Sequence, residues 1–267
     1  MKLKIILITL LVSAVCVGLV LTRSFYIDRS NEICKQLVIK IEPIGTANYI
    51  NKEMIVNLLN ANKLNPENKK RADIDLVKID LTIEKNFAVK KAKCYLTKDN
   101  IFKIDVIQRK PFFKVVGKKT YYVEDDKKRT IFVTAPDFNA DVPVVTGNFA
   151  DSIAQKEIFD FVKFIKDDDF LSKLVAKIYF ENGIVKFTQN NNFLLGLVVD
   201  TYGENTFLSF DNQIVIVGKL QNNEKNNTLE NKLYRIKKFY LESIKNRYNF
   251  GKYSEIDLRF NRQIVCR

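Results

Sequence analysis

Seventeen uncharged residues, at positions 5–21, form the most apolar stretch of the chain. As a helix they would be about 25 Å long, near the lower limit for crossing the ~30 Å hydrocarbon core of a bilayer. The run is longer than the apolar part of a typical signal peptide, and no small-x-small cleavage site follows it. The pattern predicts an uncleaved transmembrane helix over residues 5–22. A cleaved signal peptide is the alternative.

Helix and strand periods then alternate between residues 36 and 112. Apolar residues at 37, 39 and 41 have the two-residue period of a strand. Asn51 is placed to cap a helix, and a second helix is predicted around residues 73–86, where the period is ambiguous. Strands are predicted at 89–96 and 101–107. The resulting order is β-α-α-β-β, preceded by a polar stalk over residues 23–35.

The remainder of the chain is rich in strand patterns. Two helices interrupt them, at residues 151–166 and 228–247. The Asn-Gly pair at 182–183 predicts the turn of a hairpin. The predicted strands are 120–123, 130–133, 174–180, 184–187, 193–200, 206–209, 214–217 and 255–260, followed by a last segment at 263–267.

The charge of the chain and its distribution predict a compartment and a kind of partner. The chain carries 44 Lys and Arg against 31 Asp and Glu, a net charge of +13, which favours an acidic partner. Lys2 and Lys4 precede the apolar run, so the positive-inside rule predicts a cytoplasmic tail over residues 1–4, although Arg23 and Arg29 weaken the bias. The bulk of the chain is then expected outside the cytoplasm, which argues against nucleic acid as the partner.

Candidate chemistry is sparse. The sequence has no histidine, which excludes Ser-His-Asp and Cys-His catalysis and histidine metal sites. Acidic triplets at 124–126 and 167–169 have the residue types of a hard-cation site, but a turn and a polar helix end explain them more simply. Of the four cysteines, Cys16 lies in the apolar run. Cys34, Cys94 and Cys266 permit at most one intramolecular disulfide, and their wide spacing predicts small buried side chains rather than a disulfide framework. No catalytic residue, metal or cofactor is predicted.

Five segments, in this order after the apolar run, resemble the FtsQ/DivIB family of bacterial cell-division proteins. FAVKKA at 87–92 and IDVIQRKP at 104–111 resemble the end of that family's POTRA domain. YYVEDD at 121–126 and VPVVTG at 142–147 resemble the opening of its β domain, and SEIDLRF at 254–260 resembles its terminal strand.

The resemblance implies an α+β fold class. Its parts would be a cytoplasmic tail (1–4), an N-terminal transmembrane helix (5–22), a stalk (23–35), a β-α-α-β-β POTRA-like domain (36–112) and a larger mixed β domain with two helices (113–267). It further implies a non-enzymatic, single-pass protein of the bacterial inner membrane at the division septum. The expected partners are other membrane-anchored division proteins, namely coiled-coil bitopic subunits and septal cell-wall synthases, with no small-molecule substrate.

The final strand is the predicted docking site. An extended partner segment can add to unpaired backbone groups at the edge of a sheet. If Asn261-Arg262 forms a two-residue turn, Leu258 lies opposite Val265 and Ile256 lies opposite Arg267. The resemblance places partner binding at the same edge. The predicted contact residues are Leu258, Arg259, Phe260, Gln263, Ile264, Val265, Cys266 and Arg267.

The POTRA-like domain would be a second docking surface, again through an edge strand of its hairpin. Two other functions stay open on the sequence alone. One is a POTRA-type protein of outer-membrane assembly or secretion, and the other is an exported enzyme acting on an acidic carbohydrate or peptide.

Overall fold

A computed structural model describes residues 2–44, 48–134, 138–202, 213–220 and 227–267. The chain divides into two compact units, Met1–Arg109 and Lys110–Arg267. The boundary lies three residues before the predicted one. The strand predicted at 206–209 lies outside the described residues.

The first element is a long helix, α1, over Lys2–Ser30. It continues through residues 23–30, so most of the predicted stalk is helical. No glycine or proline interrupts the chain between Arg23 and Ser30, and the helix therefore has no local reason to end earlier. Within the part of the chain that the structure describes, no helix is both long and apolar enough to cross a membrane.

The rest of unit 1 confirms the β-α-α-β-β order. Its elements are β1 (Gln36–Ile41), α2 (Lys52–Ala61), a 3-10 turn (Arg71–Asp73), α3 (Leu76–Glu84), β2 (Val89–Leu96) and β3 (Ile101–Gln108). The sheet order is β1-β3-β2, with β1 parallel and β2 antiparallel to β3. Asn51 caps α2, as predicted, by accepting the backbone N–H of Met54. Ile55 and Leu59, one helical turn apart, are fully buried in the core beneath the sheet.

Unit 2 contains a nine-stranded mixed sheet in the order β12-β11-β10-β9-β8-β7-β4-β5-β6. The strands are β4 (Pro111–Val116), β5 (Thr120–Glu124), β6 (Ile131–Phe132), β7 (Val144–Gly147), β8 (Val175–Glu181), β9 (Ile184–Gln189), β10 (Ile214–Gly218), β11 (Glu255–Asp257) and β12 (Val265–Cys266). The predicted β8–β9 hairpin is confirmed. Asn182 and Gly183 both have positive φ, at 51° and 77°, as a type I′ turn requires.

The helices of unit 2 are α4 (Asp151–Ile153), which continues through a π-helical segment (Ala154–Ile158) into α5 (Phe159–Asp167), then α6 (Asp169–Leu174), α7 (Asn191–Tyr202) and α8 (Leu229–Lys245). The prediction of a strand at 193–200 was wrong, because this stretch lies in α7. Asn190 accepts the N–H of Phe193 at the start of α7, and Leu194 and Val198, four residues apart, are fully buried. A short apolar run without polar alternation has no period that separates helix from strand.

The acidic triplet at 167–169 serves the fold. Asp168 caps α6 by accepting the N–H groups of Phe170 and Leu171, and its second oxygen accepts Lys237 Nζ at 2.7 Å. Burial alone would raise the pKa of the Asp168 carboxyl, but Lys237 and the two N–H groups outweigh it and lower the pKa below its ordinary value. The two neighbouring aspartates form ion pairs with lysines four residues away along their helices.

Candidate docking edge

The last strand, β12, lies at one edge of the nine-stranded sheet, beside β11 alone among the described strands. β11 runs parallel to β10, and β12 returns antiparallel to β11. The structure therefore places the predicted docking segment at an edge of the sheet.

The predicted register of this hairpin was wrong by one residue. Ile256 lies opposite Cys266, and Asp257 lies opposite Val265. A turn does form at Asn261-Arg262, but it is the tip of a longer loop over residues 258–264 rather than a two-residue connection between the strands. In the observed register Arg267 lies opposite Glu255 rather than Ile256. The Arg267 Nη1 to Glu255 Oε1 distance is 3.2 Å.

The hydrogen bonds at the end of the hairpin define which backbone groups of β12 can bind an added strand. Arg267 and Glu255 exchange both of their N–H···O bonds, at 2.9 and 3.1 Å. In an antiparallel ladder such pairs alternate with pairs whose N–H and C=O groups point away from the neighbouring strand. The N–H and C=O of Cys266 therefore point away from β11, toward an edge that no described strand occupies.

The eight predicted contact residues differ in what they can offer a partner. Leu258 is fully buried with Ile256, so its side chain belongs to the core and cannot contact a partner. Ile264 and Cys266 pack partly against the same core, and Val265 is half-buried. The exposed side chains are those of Arg259, Phe260, Gln263 and Arg267.

Arg259 is held by a buried carboxylate. Its Nε and Nη2 donate to Asp257 at 2.9 and 2.6 Å, and its backbone N–H donates to the same carboxylate at 3.0 Å. Burial by itself would raise the pKa of the Asp257 carboxyl, but the hydrogen bonds from Arg259 outweigh it and lower that pKa. The same bonds raise the pKa of Arg259. The pair therefore shapes the start of the loop, while 43% of the Arg259 side chain stays exposed.

Arg235, on α8, holds the remainder of the loop, and it is not among the residues predicted from the sequence. Its guanidinium donates to the carbonyl oxygens of Phe260 and Gln263, both at 2.8 Å, and of Leu258 at 3.0 Å. It also donates to Asn227 Oδ1, and Asn227 Nδ2 donates in turn to the carbonyl oxygen of Arg259 at 2.9 Å. No local pattern could have revealed the contacts with the loop, because its carbonyl groups are 23 to 32 residues away from the side chains that bind them.

The edge of the smaller sheet, at β2, differs in kind. Thr97 N–H donates to the carbonyl oxygen of Ile101 at the end of the β2–β3 hairpin, and hydrogen-bonded and non-hydrogen-bonded pairs alternate from there along the strands. The N–H groups of Ala92 and Cys94 therefore point away from β3. Both are already bound: Cys94 N–H donates to Asp80 Oδ1 at 2.7 Å and Ala92 N–H donates to Glu84 Oε1 at 3.0 Å. Asp80 and Glu84 lie one turn apart on α3, which therefore occupies this edge. Strand addition at β2, the expected second docking mechanism, would have to displace both carboxylates.

Comparison with known proteins agrees with this division of the chain. A family model described as "FtsQ/DivIB, C-terminal related" matches residues 110–267, more than half of the chain. The chain belongs to this FtsQ/DivIB-related family. A POTRA-like domain model matches residues 32–107. The two matches meet at the boundary between the two units, and together they indicate a scaffold role in cell division.

FtsQ/DivIB proteins are membrane-anchored division proteins of the septum, and both matched families are generally non-enzymatic. Membership in this family implies interaction with other division proteins. No curated protein matches the chain.

Proposed function

We propose that this protein is a non-enzymatic, single-pass scaffold of the bacterial division machinery. On this proposal it docks an extended segment of a coiled-coil division subunit along β12 and so helps to recruit and regulate septal cell-wall synthesis. The bulk of the chain acts outside the cytoplasm, and the protein works by binding rather than by turnover.

One observation carries the docking proposal, namely the contrast between the β2 edge and the β12 edge. The outward N–H groups of Ala92 and Cys94 on β2 are bound by Glu84 and Asp80, whereas β12 directs the N–H and C=O of Cys266 at an edge without a described neighbour. An exposed edge supplies backbone hydrogen bonds to an added strand and binds it whatever its exact sequence. Side chains beside the edge then select the partner.

The side chains around β12 favour an acidic partner segment. Arg259, Arg262 and Arg267 are all exposed. Asp257 is paired with Arg259 and Glu255 with Arg267, so one positive charge of the three is left over. Cationic groups at the rim of an interface raise the rate of association with an acidic partner. The net charge of +13 acts in the same direction.

The proposed anchor rests on the uncharged residues 5–21 within α1. Leu10, Leu11 and Val12 occupy successive positions, which point to different sides of the helix, and each is more than half exposed. A helix that is apolar all round suits a lipid environment. Lys2 and Lys4 at its start favour a cytoplasmic N-terminus.

Replacing Cys266 by proline tests docking directly. Proline removes the outward N–H of Cys266 and leaves the bonds of Glu255 with Arg267 in place, and proline is tolerated in edge strands. The probe is the purified extracytoplasmic part of the coiled-coil division subunit from the same bacterium, titrated against the full chain in detergent. Cys266→Pro is expected to weaken binding by roughly tenfold or more, since it removes a hydrogen bond and places a ring in the contact.

Cys266→Ala is the matched control, because it removes the same sulfur but keeps the N–H. It should bind within a few-fold of the natural protein. Equal affinity of the proline and alanine variants would show that β12 is not the docking strand.

Localisation tests the scaffold role independently. A fluorescent fusion of the full chain should form a band at midcell that depends on earlier division proteins. An even distribution around the cell envelope would favour outer-membrane assembly or secretion instead, and turnover of an acidic carbohydrate or peptide by the purified protein would contradict a non-enzymatic role.

A further inference from the structure

The docking strand has little to hold it in place. β12 consists of Val265–Cys266, and its ladder with β11 extends over three residue pairs, the third being Arg267 with Glu255. The loop of residues 258–264 that precedes it is long for a hairpin, and Asn261 and Arg262 at its tip are exposed. Two-stranded pairing of this length is marginal by itself in water. The register of the edge therefore needs contacts from outside the hairpin.

Those contacts come from one guanidinium. Arg235 donates to three carbonyl oxygens of the loop, on Leu258, Phe260 and Gln263, at 2.8 to 3.0 Å. The loop thus wraps around the planar fork of the side chain, which offers five N–H donors in fixed directions. Leu258 and Gln263 mark the two sides of the loop, so a single side chain fixes the distance between its entry and its exit.

Asn227 completes the arrangement. Its Oδ1 accepts Arg235 Nη2 at 3.0 Å, and its Nδ2 donates to the carbonyl oxygen of Arg259 at 2.9 Å. Asn227 is 1% exposed and directly precedes Thr228, the cap residue of α8. Helix α8, whose inner face is buried in the core of unit 2, therefore carries the loop on a rigid support.

We propose that Arg235, oriented by Asn227, is the positioning residue of the docking edge: it sets the register of β12 and thereby directs the backbone groups of Cys266 outward. This inference rests on the proposed function only in calling the edge a docking site. In the absence of Arg235 the loop loses three bonds to a charged donor. A shift of β12 by one residue would then turn the N–H and C=O of Cys266 toward β11 and its side chain away from the core.

The first test needs no partner. Amide hydrogen exchange of the full chain in detergent is compared for the natural protein, Arg235→Gln and Arg235→Lys. In Arg235→Gln the exchange of the inward N–H groups of Val265 and Arg267 should accelerate roughly tenfold or more, while Phe187 and Val215 in the centre of the sheet keep their protection. Arg235→Lys should lie between the two, because lysine keeps the charge and loses the fork.

Cysteine alkylation gives a second reading of the same event. Cys266 is half-buried against the core, while Cys34 and Cys94 are buried in unit 1. Arg235→Gln should raise the alkylation rate of Cys266, resolved by peptide mass, and leave the rates of Cys34 and Cys94 unchanged. Asn227→Ala should produce a smaller rise in the same direction, and it provides the milder variant should Arg235→Gln fold poorly.

The outcomes separate the inference from the proposed function. Unchanged exchange at Val265 and Arg267, or equal acceleration across the whole sheet, would overturn the positioning role of Arg235. Local acceleration at β12 supports that role even when no division partner binds. Protection of the Cys266 N–H on addition of the coiled-coil subunit, lost in Arg235→Gln and partly restored in Arg235→Lys, would support the positioning role and the docking proposal together.

Discussion

The carboxylate of Asp257, with no exposed surface, accepts a 2.6 Å hydrogen bond from Nη2 of Arg259, two residues further along the chain. The pair lies between the buried strand β11 and the loop that leads to β12. Burying a carboxylate is costly unless it is paired, and here the guanidinium and a backbone N–H both donate hydrogen bonds to it. The same bonds fix the direction of the chain where the loop begins.

Acid should therefore loosen the terminal hairpin. The pKa of Asp257 is lowered in the folded protein, so its contribution to stability is complete above the unfolded value of about 3.8 and is lost as the pH falls through the lower folded value. Amide exchange at β12 should accelerate in that window. Asp257→Asn should cost about 1–2 kcal/mol of unfolding free energy at neutral pH and flatten the acid dependence. An unchanged acid dependence in this variant would exclude Asp257 as the cause.

Two glycines with positive φ form a matched pair for testing the neighbourhood of the edge. A Cβ at Gly183 (φ 77°) would meet nothing within 4 Å, whereas a Cβ at Gly218 (φ 93°) would lie 2.9 Å from Arg259 Cγ. Gly183→Ala should cost about 1 kcal/mol from backbone strain alone. Gly218→Ala should cost more, because it also displaces Arg259 from Asp257, and it alone should weaken partner binding. Denaturant unfolding measures the loss of stability, and titration with the partner measures the loss of affinity. Equal losses in both variants would show that the contact between position 218 and Arg259 is unimportant.

The two carboxylates that bind the edge of β2 should affect the amide exchange of alternate residues of that strand differently. Asp80→Ala with Glu84→Ala should accelerate exchange of the Ala92 and Cys94 N–H groups, while Lys91 and Lys93, whose N–H groups point toward β3, stay protected. The variant should also self-associate, because the change uncovers an unpaired edge. Exchange that rises equally at all four positions would indicate unfolding of the unit rather than an opened edge.

Arg267 should affect association more than stability. Its ion pair with Glu255 is largely exposed, so Arg267→Gln should change the unfolding free energy by less than about 1 kcal/mol. Loss of this charge at the rim should slow binding of the acidic partner segment several-fold at low salt. Lys173→Gln, which removes an exposed ion pair with Asp169, is the matched control and should leave the association rate unchanged. Equal rates for both variants would exclude electrostatic steering at β12.

Much of the fold could be predicted because its signals are local. The cap at Asn51, the paired turn at Asn182-Gly183 and the amphipathic face of α8 each depend on residues a few positions apart. The strand predicted at 193–200 was wrong because this stretch has no such local signal. Its apolar residues show no period, and only the burial of Leu194 and Val198 in the core selects a helix.

The amino-acid sequence by itself determined the order of elements in the first unit, the edge-forming tail and the family. Only the tertiary structure decided what each edge can do. The loop before β12 is bound by Arg235, more than twenty residues away, and the N–H groups of Ala92 and Cys94 on β2 are bound by two carboxylates of α3. Hydrogen bonds between distant segments follow from how the chain packs, and an alternating pattern of apolar residues carries no information about which carbonyl or N–H group such a side chain will reach.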